Sequence, residues 1–354
     1  MRHFSRCGLT ILLLGTFTLQ HPPTRATAQV VEFRMPPTPR PAQPVIEADP
    51  NPPAFVVRET AEPDAPLTPP VPVTTWLDAQ IALARAGFSA GPIDGVGGAQ
   101  STTALRAYQE RHDLSVTGVL DPATREKLLL TTPPITQIIL TGEDLAQLQP
   151  LEPTWLGKSQ QTTLAYETAL ELIAERTHAS PNLIRRLNPE VDWTEPAAGM
   201  SLIVPAVPRL PKTKKAARII IQLAAHTLEI FNADGGILAH FPVSIASRVE
   251  KRPAGELRVT VVVANPDYTF NPEMFPESEE ARSLGRKLIL PPGPNNPVGL
   301  AWIGLSLPGY GIHGTPKPEQ VGRTESHGCF RLANWDAVTL LDFAWIGLPV
   351  LIEP

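Results

Sequence analysis

The residues best suited to chemistry lie in two short stretches near the end of the chain. One is Ser326-His327-Gly328-Cys329-Phe330-Arg331, and the other is Tyr310-Gly311-Ile312-His313-Gly314-Thr315. Together they supply one thiol, two imidazoles, a guanidinium and small residues that let backbone amides approach a ligand. A cysteine nucleophile and its base need this set of groups.

A thiol reacts well only as a thiolate, so Cys329 needs a nearby base or a positive field. His327 precedes it by two residues, and His313 lies far enough upstream to occupy an adjacent strand that faces the thiol. The amides of His327, Gly328 and Cys329 could point at a carbonyl oxygen as an oxyanion hole. Arg331 could favour the thiolate or hold a substrate carboxylate. Its alternative role is a structural contact under the active-site loop.

A metal site built from Cys329, His313 and His327 is the competing interpretation of the same residues. Such a site would lack a second thiol and an evident fourth ligand. We therefore expect nucleophilic chemistry with no metal and no cofactor.

The elements that must position these residues change character near residue 216. Upstream the patterns are helical, whereas residues 216–354 contain several short β-rich runs and one clear helix that Asn334 could cap. Asn232-Ala233-Asp234-Gly235-Gly236 is a strong hairpin turn between two of these runs. This pattern predicts a mainly β sandwich or barrel. Residues 265–290 show little periodicity and are predicted to be a long loop, a common form of substrate lid.

Two smaller modules are predicted upstream. Residues 75–131 hold three short helical patterns, the third beginning at Asp121-Pro122 with the aspartate as N-cap. Residues 162–207 hold an amphipathic helix, a second helix restarting at Ser180-Pro181, and a strand at 200–204 that ends at a proline. The short run 162–164 would be the leading strand of this second module.

These modules resemble domains of proteins that bind the bacterial cell wall. The motifs Gly91-x-Ile93-Asp94-Gly95 and Gly118-x-Leu120-Asp121, with the helices around them, look like a peptidoglycan-binding three-helix domain. The second module is similar to a LysM module, a glycan-binding α+β fold; a helical connector without sugar-binding grooves is the alternative. These resemblances imply peptidoglycan glycan and stem peptides as partners.

The closest resemblance covers residues 216–354. His313-Gly314-Thr315 followed by Ser326-His327-Gly328-Cys329-Phe330-Arg331 looks like the signature of the L,D-transpeptidase (YkuD-type) catalytic domain, a mainly β fold. Phe330 stands where a smaller aliphatic residue is usual, and Leu348 interrupts the usual Gly-Thr-Pro-Val ending. Neither departure touches the nucleophile or the base.

The resemblance implies specific roles. Cys329 would attack the bond between the third residue of a tetrapeptide stem and its terminal D-alanine, and His313 would transfer protons, with the Gly314 main chain orienting its ring. His327 and Gly328 would contribute to the oxyanion hole. Candidate substrate contacts are Arg331, Ser326 and Tyr310, although Tyr310 could instead serve in packing.

The second substrate remains open at this level. An amine of another stem would give a 3→3 cross-link, the amine of a wall-anchored lipoprotein would give protein anchoring, and water would make the enzyme an L,D-carboxypeptidase or endopeptidase. A wall-binding protein with an idle catalytic fold is a further alternative, which the intact His313 and Cys329 pair disfavours.

Composition bounds these possibilities. The 354 residues suffice for two or three domains, and the net charge is -5. The basic run at residues 212–215 is too short to suggest a nucleic-acid partner. The two cysteines are Cys7 and Cys329. Because Cys7 lies in a predicted signal peptide, the mature chain would carry one thiol and no internal disulfide.

The N-terminus has the layout of a secretory signal over residues 1–28. Arg2 and Arg6 precede an apolar run at 9–19, and Ala26-Thr27-Ala28 fits the cleavage rule. A membrane anchor would need about 20 apolar residues, and proline ends this run early. We expect an exported, periplasmic protein associated with the cell wall, with no membrane span after cleavage. Residues 29–74 follow as a proline-rich spacer, either semi-rigid or a disordered leader.

Overall fold

The computed structural model describes residues 69–210, 215–324 and 328–354, all of which belong to one compact unit within Asp49–Pro354. The predicted signal peptide and nearly all of the spacer lie outside the described residues. Within the described ranges, no helix has both the length and the apolar character needed to cross a membrane.

The N-terminal region is helical, as predicted. A capping box between Thr75 and Asp78 starts the first helix, and Gly87 follows its end with a φ of +90°. Asp121 caps the third helix and Pro122 occupies its first turn, which confirms that prediction. The helices are α1 (Trp76–Arg85), α2 (Ala99–Arg111) and α3 (Pro122–Lys127), and they are flanked by a strand pair, β1 (Val71–Pro72) and β2 (Leu129–Leu130).

The second module uses a different leading strand from the one that the sequence predicted. The strand that pairs with its C-terminal strand is residues 135–139 rather than 162–164, so the predicted leading strand is wrong. About 60 residues separate the two paired strands, and local patterns do not report such distant pairing. Its elements are β3 (Ile135–Ile139), α4 (Gly142–Ala146), α5 (Trp155–Gln160), α6 (Ala169–Arg176), α7 (Pro181–Leu187) and β4 (Ser201–Pro205).

The C-terminal region is a curved sheet of eight strands. The strands are β5 (Arg218–Gln222), β6 (Thr227–Phe231), β7 (Ile237–Pro242), β8 (Gly255–Ala264), β11 (Ala301–Leu305), β12 (Gly311–His313), β13 (Phe330–Arg331) and β14 (Pro349–Glu353). Their spatial order is β13-β12-β11-β8-β14-β5-β6-β7. Ser244, just past β7, exchanges two backbone hydrogen bonds of 2.9 and 3.0 Å with Arg331 of β13, so the sheet bends back on itself.

One helix packs inside this curved sheet. It is α9 (Asn334–Phe343), whose Ala337, Leu340 and Phe343 join the buried hydrophobic core formed by the strands. The predicted capping role of Asn334 is wrong, since Ala333 is the N-cap and Asn334 is the first helical residue. The buried amide of Asn334 has other partners, described below.

The predicted loop 265–290 contains short regular elements. A hairpin joins β9 (Tyr268–Phe270) to β10 (Leu288–Leu290), and α8 (Glu279–Leu284) lies between them. Prolines and short strand lengths hide these elements from periodicity. We call residues 265–290 the hairpin segment. It packs on the second module, because Trp155 of α5 stacks on Phe270 with ring centroids 4.3 Å apart.

Candidate active site

The register of two neighbouring strands brings the candidate nucleophile and base to one face of the sheet. In the parallel pair β12–β13, Ile312 lies opposite Phe330 and His313 lies opposite Arg331. Ile312 and Phe330 point into the core, being 0% and 1% exposed. Because side chains alternate along a strand, His313 and Arg331 point to the other face, and so does Cys329 just before β13.

The thiol of Cys329 sits at the end of this strand pair. Its Sγ lies 3.6 Å from the carbonyl oxygen of Gly309. Burial raises the pKa of the Cys329 thiol above its ordinary range, and a hydrogen bond from the Gly311 backbone offsets this only in part. At neutral pH the Cys329 side chain is therefore a thiol rather than a stable thiolate.

The imidazole of His313 is buried and held in one orientation. Its Nδ1 lies 2.6 Å from the carbonyl oxygen of Gly314. A carbonyl oxygen only accepts hydrogen bonds, so Nδ1 carries the proton and Nε2 is left as the basic nitrogen. Burial lowers the pKa of His313 to about 4, the Gly314 contact opposes that shift, and the positive charge of Arg331 adds to it. His313 is therefore neutral at pH 7 and able to accept a proton.

Two glycines let neighbouring groups come close to this pair. A methyl group at Gly314 would lie 2.2 Å from Oδ1 of Asn334, which packs directly behind the loop. A methyl group at Gly311 would lie 2.7 Å from the ring of Trp302, which also stacks on His313 with centroids 5.7 Å apart. Trp302 thus packs against one side of the His313 ring.

Two tyrosines lie within electrostatic range of the thiol. Burial raises the pKa of Tyr310, and the charge of the Cys329 thiolate raises it further. The Tyr310 hydroxyl donates to the carbonyl of Lys251 at 3.0 Å, so it ties β12 to a neighbouring loop. Tyr268 of the hairpin segment has its pKa raised by the same two causes. The sequence does not indicate this position of Tyr268, because 61 residues separate it from Cys329.

The structure describes only some of the remaining predicted site residues. Ser326 and His327 lie outside the described residues, so their roles stay predictions, as does the oxyanion role of Gly328. The Arg331 guanidinium donates to the carbonyl and to the hydroxyl of Thr324, each at 3.3 Å. These contacts fit the alternative role of Arg331 as a support for the loop before the thiol.

No metal-binding group is evident in the described part of the chain. Within residues 69–210, 215–324 and 328–354, no three histidine, cysteine, aspartate or glutamate side chains cluster closely enough to hold an ion.

Fold and site together define a mainly β domain that presents a thiol and a neutral imidazole on one sheet face. Residues 216–352 match the family described as the L,D-transpeptidase catalytic domain, YkuD, and residues 74–128 match the family described as a "Putative peptidoglycan binding domain". The chain therefore carries a YkuD-type L,D-transpeptidase catalytic domain preceded by a peptidoglycan-binding domain, as the sequence predicted.

Curated relatives agree with this assignment. A Bacillus licheniformis protein named "Putative L,D-transpeptidase YkuD" is 28% identical over 52% of this chain and 93% of its own length. A Salmonella typhimurium protein named "Probable L,D-transpeptidase ErfK/SrfK" is 30% identical over 52% of this chain and 59% of its own length.

Solved structures of L,D-transpeptidases are also similar. One from Mycobacterium smegmatis aligns with 47% of this chain and 80% of its own, at 17% identity and a TM-score of 0.31. L,D-transpeptidase 3 from Mycobacterium tuberculosis aligns with 45% of this chain and 77% of its own, at 16% identity and a TM-score of 0.30. The family assignment rests on the sequence matches.

Proposed function

We propose that the protein is a cysteine L,D-transpeptidase that acts on peptidoglycan stem peptides through an acyl-enzyme on Cys329. The observation that carries the proposal is the shared sheet face of Cys329 and His313, with the His313 ring held by the Gly314 carbonyl so that Nε2 is the basic nitrogen. A neutral thiol beside a neutral imidazole suits general-base activation at the moment of attack.

The first half-reaction would proceed in the following way. Sγ of Cys329 attacks the carbonyl carbon between the third stem residue, a diaminopimelate, and D-alanine, and its proton passes to Nε2 of His313. The carbon–nitrogen bond then breaks, His313 returns the proton to the leaving amine, and D-alanine departs. Backbone amides at residues 327–329 would stabilise the oxyanion. The product is a thioester.

In the second half-reaction an amine replaces D-alanine. The amine of a second stem attacks the thioester carbonyl, its proton passes to His313, and the carbon–sulfur bond breaks with the proton returned to Sγ. A 3→3 cross-link results, and the amine of a wall-anchored lipoprotein would give an anchored protein instead. Because the chemistry is the same for water as acceptor, the acceptor is decided by the product assay below.

The upstream modules would hold the enzyme on its polymeric substrate. The domain at residues 74–128 supports peptidoglycan as the substrate. In the second module, β3 precedes the helices in the chain and β4 follows them. The two strands pair with each other. That order fits a LysM-like, glycan-binding module. We further propose export by the N-terminal signal and a periplasmic location at the cell wall.

The test is product analysis with purified disaccharide–tetrapeptide, using wild type and Cys329→Ala. Transpeptidation predicts a stem dimer with release of one D-alanine per cross-link. Tripeptide without dimer would instead assign water as the acceptor. Turnover by Cys329→Ala at the wild-type rate would contradict the acyl-enzyme mechanism.

A further inference from the structure

A carboxyl group outside the catalytic domain is connected to the candidate base. Glu175 lies on α6 of the second module and is 7% exposed. Its two carboxyl oxygens accept from Nδ2 of Asn334 at 3.0 and 3.1 Å, and one of them also accepts from the Tyr166 hydroxyl at 3.0 Å. Asn334 is the first residue of α9, so this contact joins two modules of the fold.

The amide of Asn334 lies directly behind the loop that orients His313. Nδ2 also donates to the carbonyl of Pro294 at 3.0 Å, and Oδ1 accepts from the backbone amide of Leu300 at 3.1 Å. The same Oδ1 occupies the space where a side chain of Gly314 would lie. The Gly314 carbonyl in turn holds Nδ1 of His313. A continuous chain of contacts therefore runs from Glu175 through Asn334 and Gly314 to the imidazole.

The second module also forms hydrogen bonds with the adjacent loop, residues 291–300. Nδ2 of Asn295 donates to Glu171 of α6 at 2.6 Å and to the carbonyl of Ala165 at 2.9 Å. The Leu164 amide donates to Pro292, and the Asn295 amide donates to Leu164, each at 2.9 Å. These bonds leave the loop little freedom to shift independently of the module.

We propose that Glu175 is a positioning residue for the L,D-transpeptidase reaction and that it acts through Asn334 and Gly314 on the orientation of His313. The second module would then be part of the catalytic unit as well as a tether to the wall. The assignment of His313 as the reacting base rests on the proposed function, whereas the connection from Glu175 to the imidazole does not.

The chain offers a matched control on α9, the helix that Glu175 contacts through Asn334. Asp336 of α9 is 3% exposed and accepts from the Ser89 hydroxyl of the first module at 3.0 Å. Burial raises the pKa of Asp336 and of Glu175 to about 8 in both cases. Both carboxyls thus join α9 to an upstream module from a buried position. No described hydrogen bond leads from Asp336 toward Gly314.

The experiment compares Glu175→Ala, Glu175→Gln and Asp336→Ala in the full-length chain. Kinetics with disaccharide–tetrapeptide should show kcat reduced by about 10- to 100-fold in Glu175→Ala with KM within about twofold, because misplacing a reacting group acts on the chemical step. Glu175→Gln keeps an oxygen that accepts from Asn334 and should recover most of kcat. Asp336→Ala should lose thermal stability, as Glu175→Ala does, while keeping kcat.

A spectroscopic readout separates this proposal from the proposed function. The Nδ1–H resonance of His313, assigned by its loss in His313→Gln, should be present in wild type, Glu175→Gln and Asp336→Ala, and lost or broadened in Glu175→Ala. It reports the contact even if the protein has no transpeptidase activity. If Glu175→Ala left both the resonance and kcat unchanged, the positioning role would be overturned. It would also be overturned if Asp336→Ala lost the resonance and kcat to the same extent as Glu175→Ala.

Discussion

Two regions of this molecule lower the pKa of a histidine to a similar value, yet the two histidines have different neighbours. In the first region, burial lowers the pKa of His313 to about 4. In the second, where α9 meets the upstream modules, burial lowers the pKa of His178 to about 4 as well. His313 shares a sheet face with Cys329, whereas His178 stacks on Trp335 of α9 with centroids 5.3 Å apart. A shifted pKa therefore does not by itself distinguish the proposed base His313 from His178, whereas the strand register does.

Substituting each of these histidines should separate their roles. His313→Gln should lower kcat/KM for stem transfer by about 10²- to 10⁴-fold, the usual contribution of a general acid–base. His178→Asn is the control, because asparagine tolerates the left-handed backbone at this position, where φ is +56°. It should lower thermal stability while leaving transfer within about threefold of wild type. Comparable losses in the two variants would contradict the assignment of His313.

A second substitution tests the packing of Asn334 against Gly314, behind the His313 ring, and should have a smaller effect on the reaction rate. Gly314→Ala would place a methyl group 2.2 Å from Asn334 Oδ1, so the loop or the amide must shift. We expect kcat to fall by about 10- to 100-fold, since a displacement near 1 Å at a reacting group has that effect. Gly142→Ala in α4, where nothing lies within 4 Å of the added methyl group, should be neutral. Full activity of Gly314→Ala in steady-state assays would show that the base does not need this packing.

A third effect concerns the hairpin segment and should depend on substrate size. Trp155→Ala removes the stack on Phe270, an interaction worth about 0.5–1.5 kcal/mol, which corresponds to about two- to tenfold. We expect that loss in kcat/KM for disaccharide–tetrapeptide, because Tyr268 of the same hairpin lies near the thiol. The rate of iodoacetamide alkylation at Cys329 should stay unchanged, and Trp155→Phe should restore transfer. Equal loss with both reagents would place the defect at the thiol itself.

The smallest effect is a pH dependence. Burial raises the pKa of the Cys329 thiol, so the thiolate fraction and the alkylation rate should rise with pH through a midpoint above the ordinary value of about 8.5. His313, with its pKa near 4, remains neutral throughout that range. Peptide mass mapping after iodoacetamide treatment would follow Cys329 separately from Cys7. A midpoint below pH 7 would indicate a thiolate–imidazolium pair in the resting enzyme.

The sequence predicted the features that depend on local pattern and on short motifs. The strands around Asn232–Gly236, the cap at Asp121, the helix that begins at Ser180-Pro181, and the location of Cys329 and His313 on neighbouring strands followed from spacing and turn chemistry. The strand at 135–139 and the contacts of Glu175 and Tyr268 did not, because each depends on a partner distant in the chain. Asn334 shows the limit most clearly, since a residue typical of a helix cap serves here as a buried bridge.

Covalent trapping is a direct test of whether Cys329 forms the acyl-enzyme. A carbapenem acylates a thiol by opening its β-lactam ring without a leaving group, so intact-mass spectrometry of the full-length chain should show an added mass equal to one carbapenem. Peptide mapping should place the adduct on Cys329, and Cys329→Ser should form no adduct that survives the measurement. No adduct on the wild-type protein, or the same adduct on Cys329→Ser, would contradict the account.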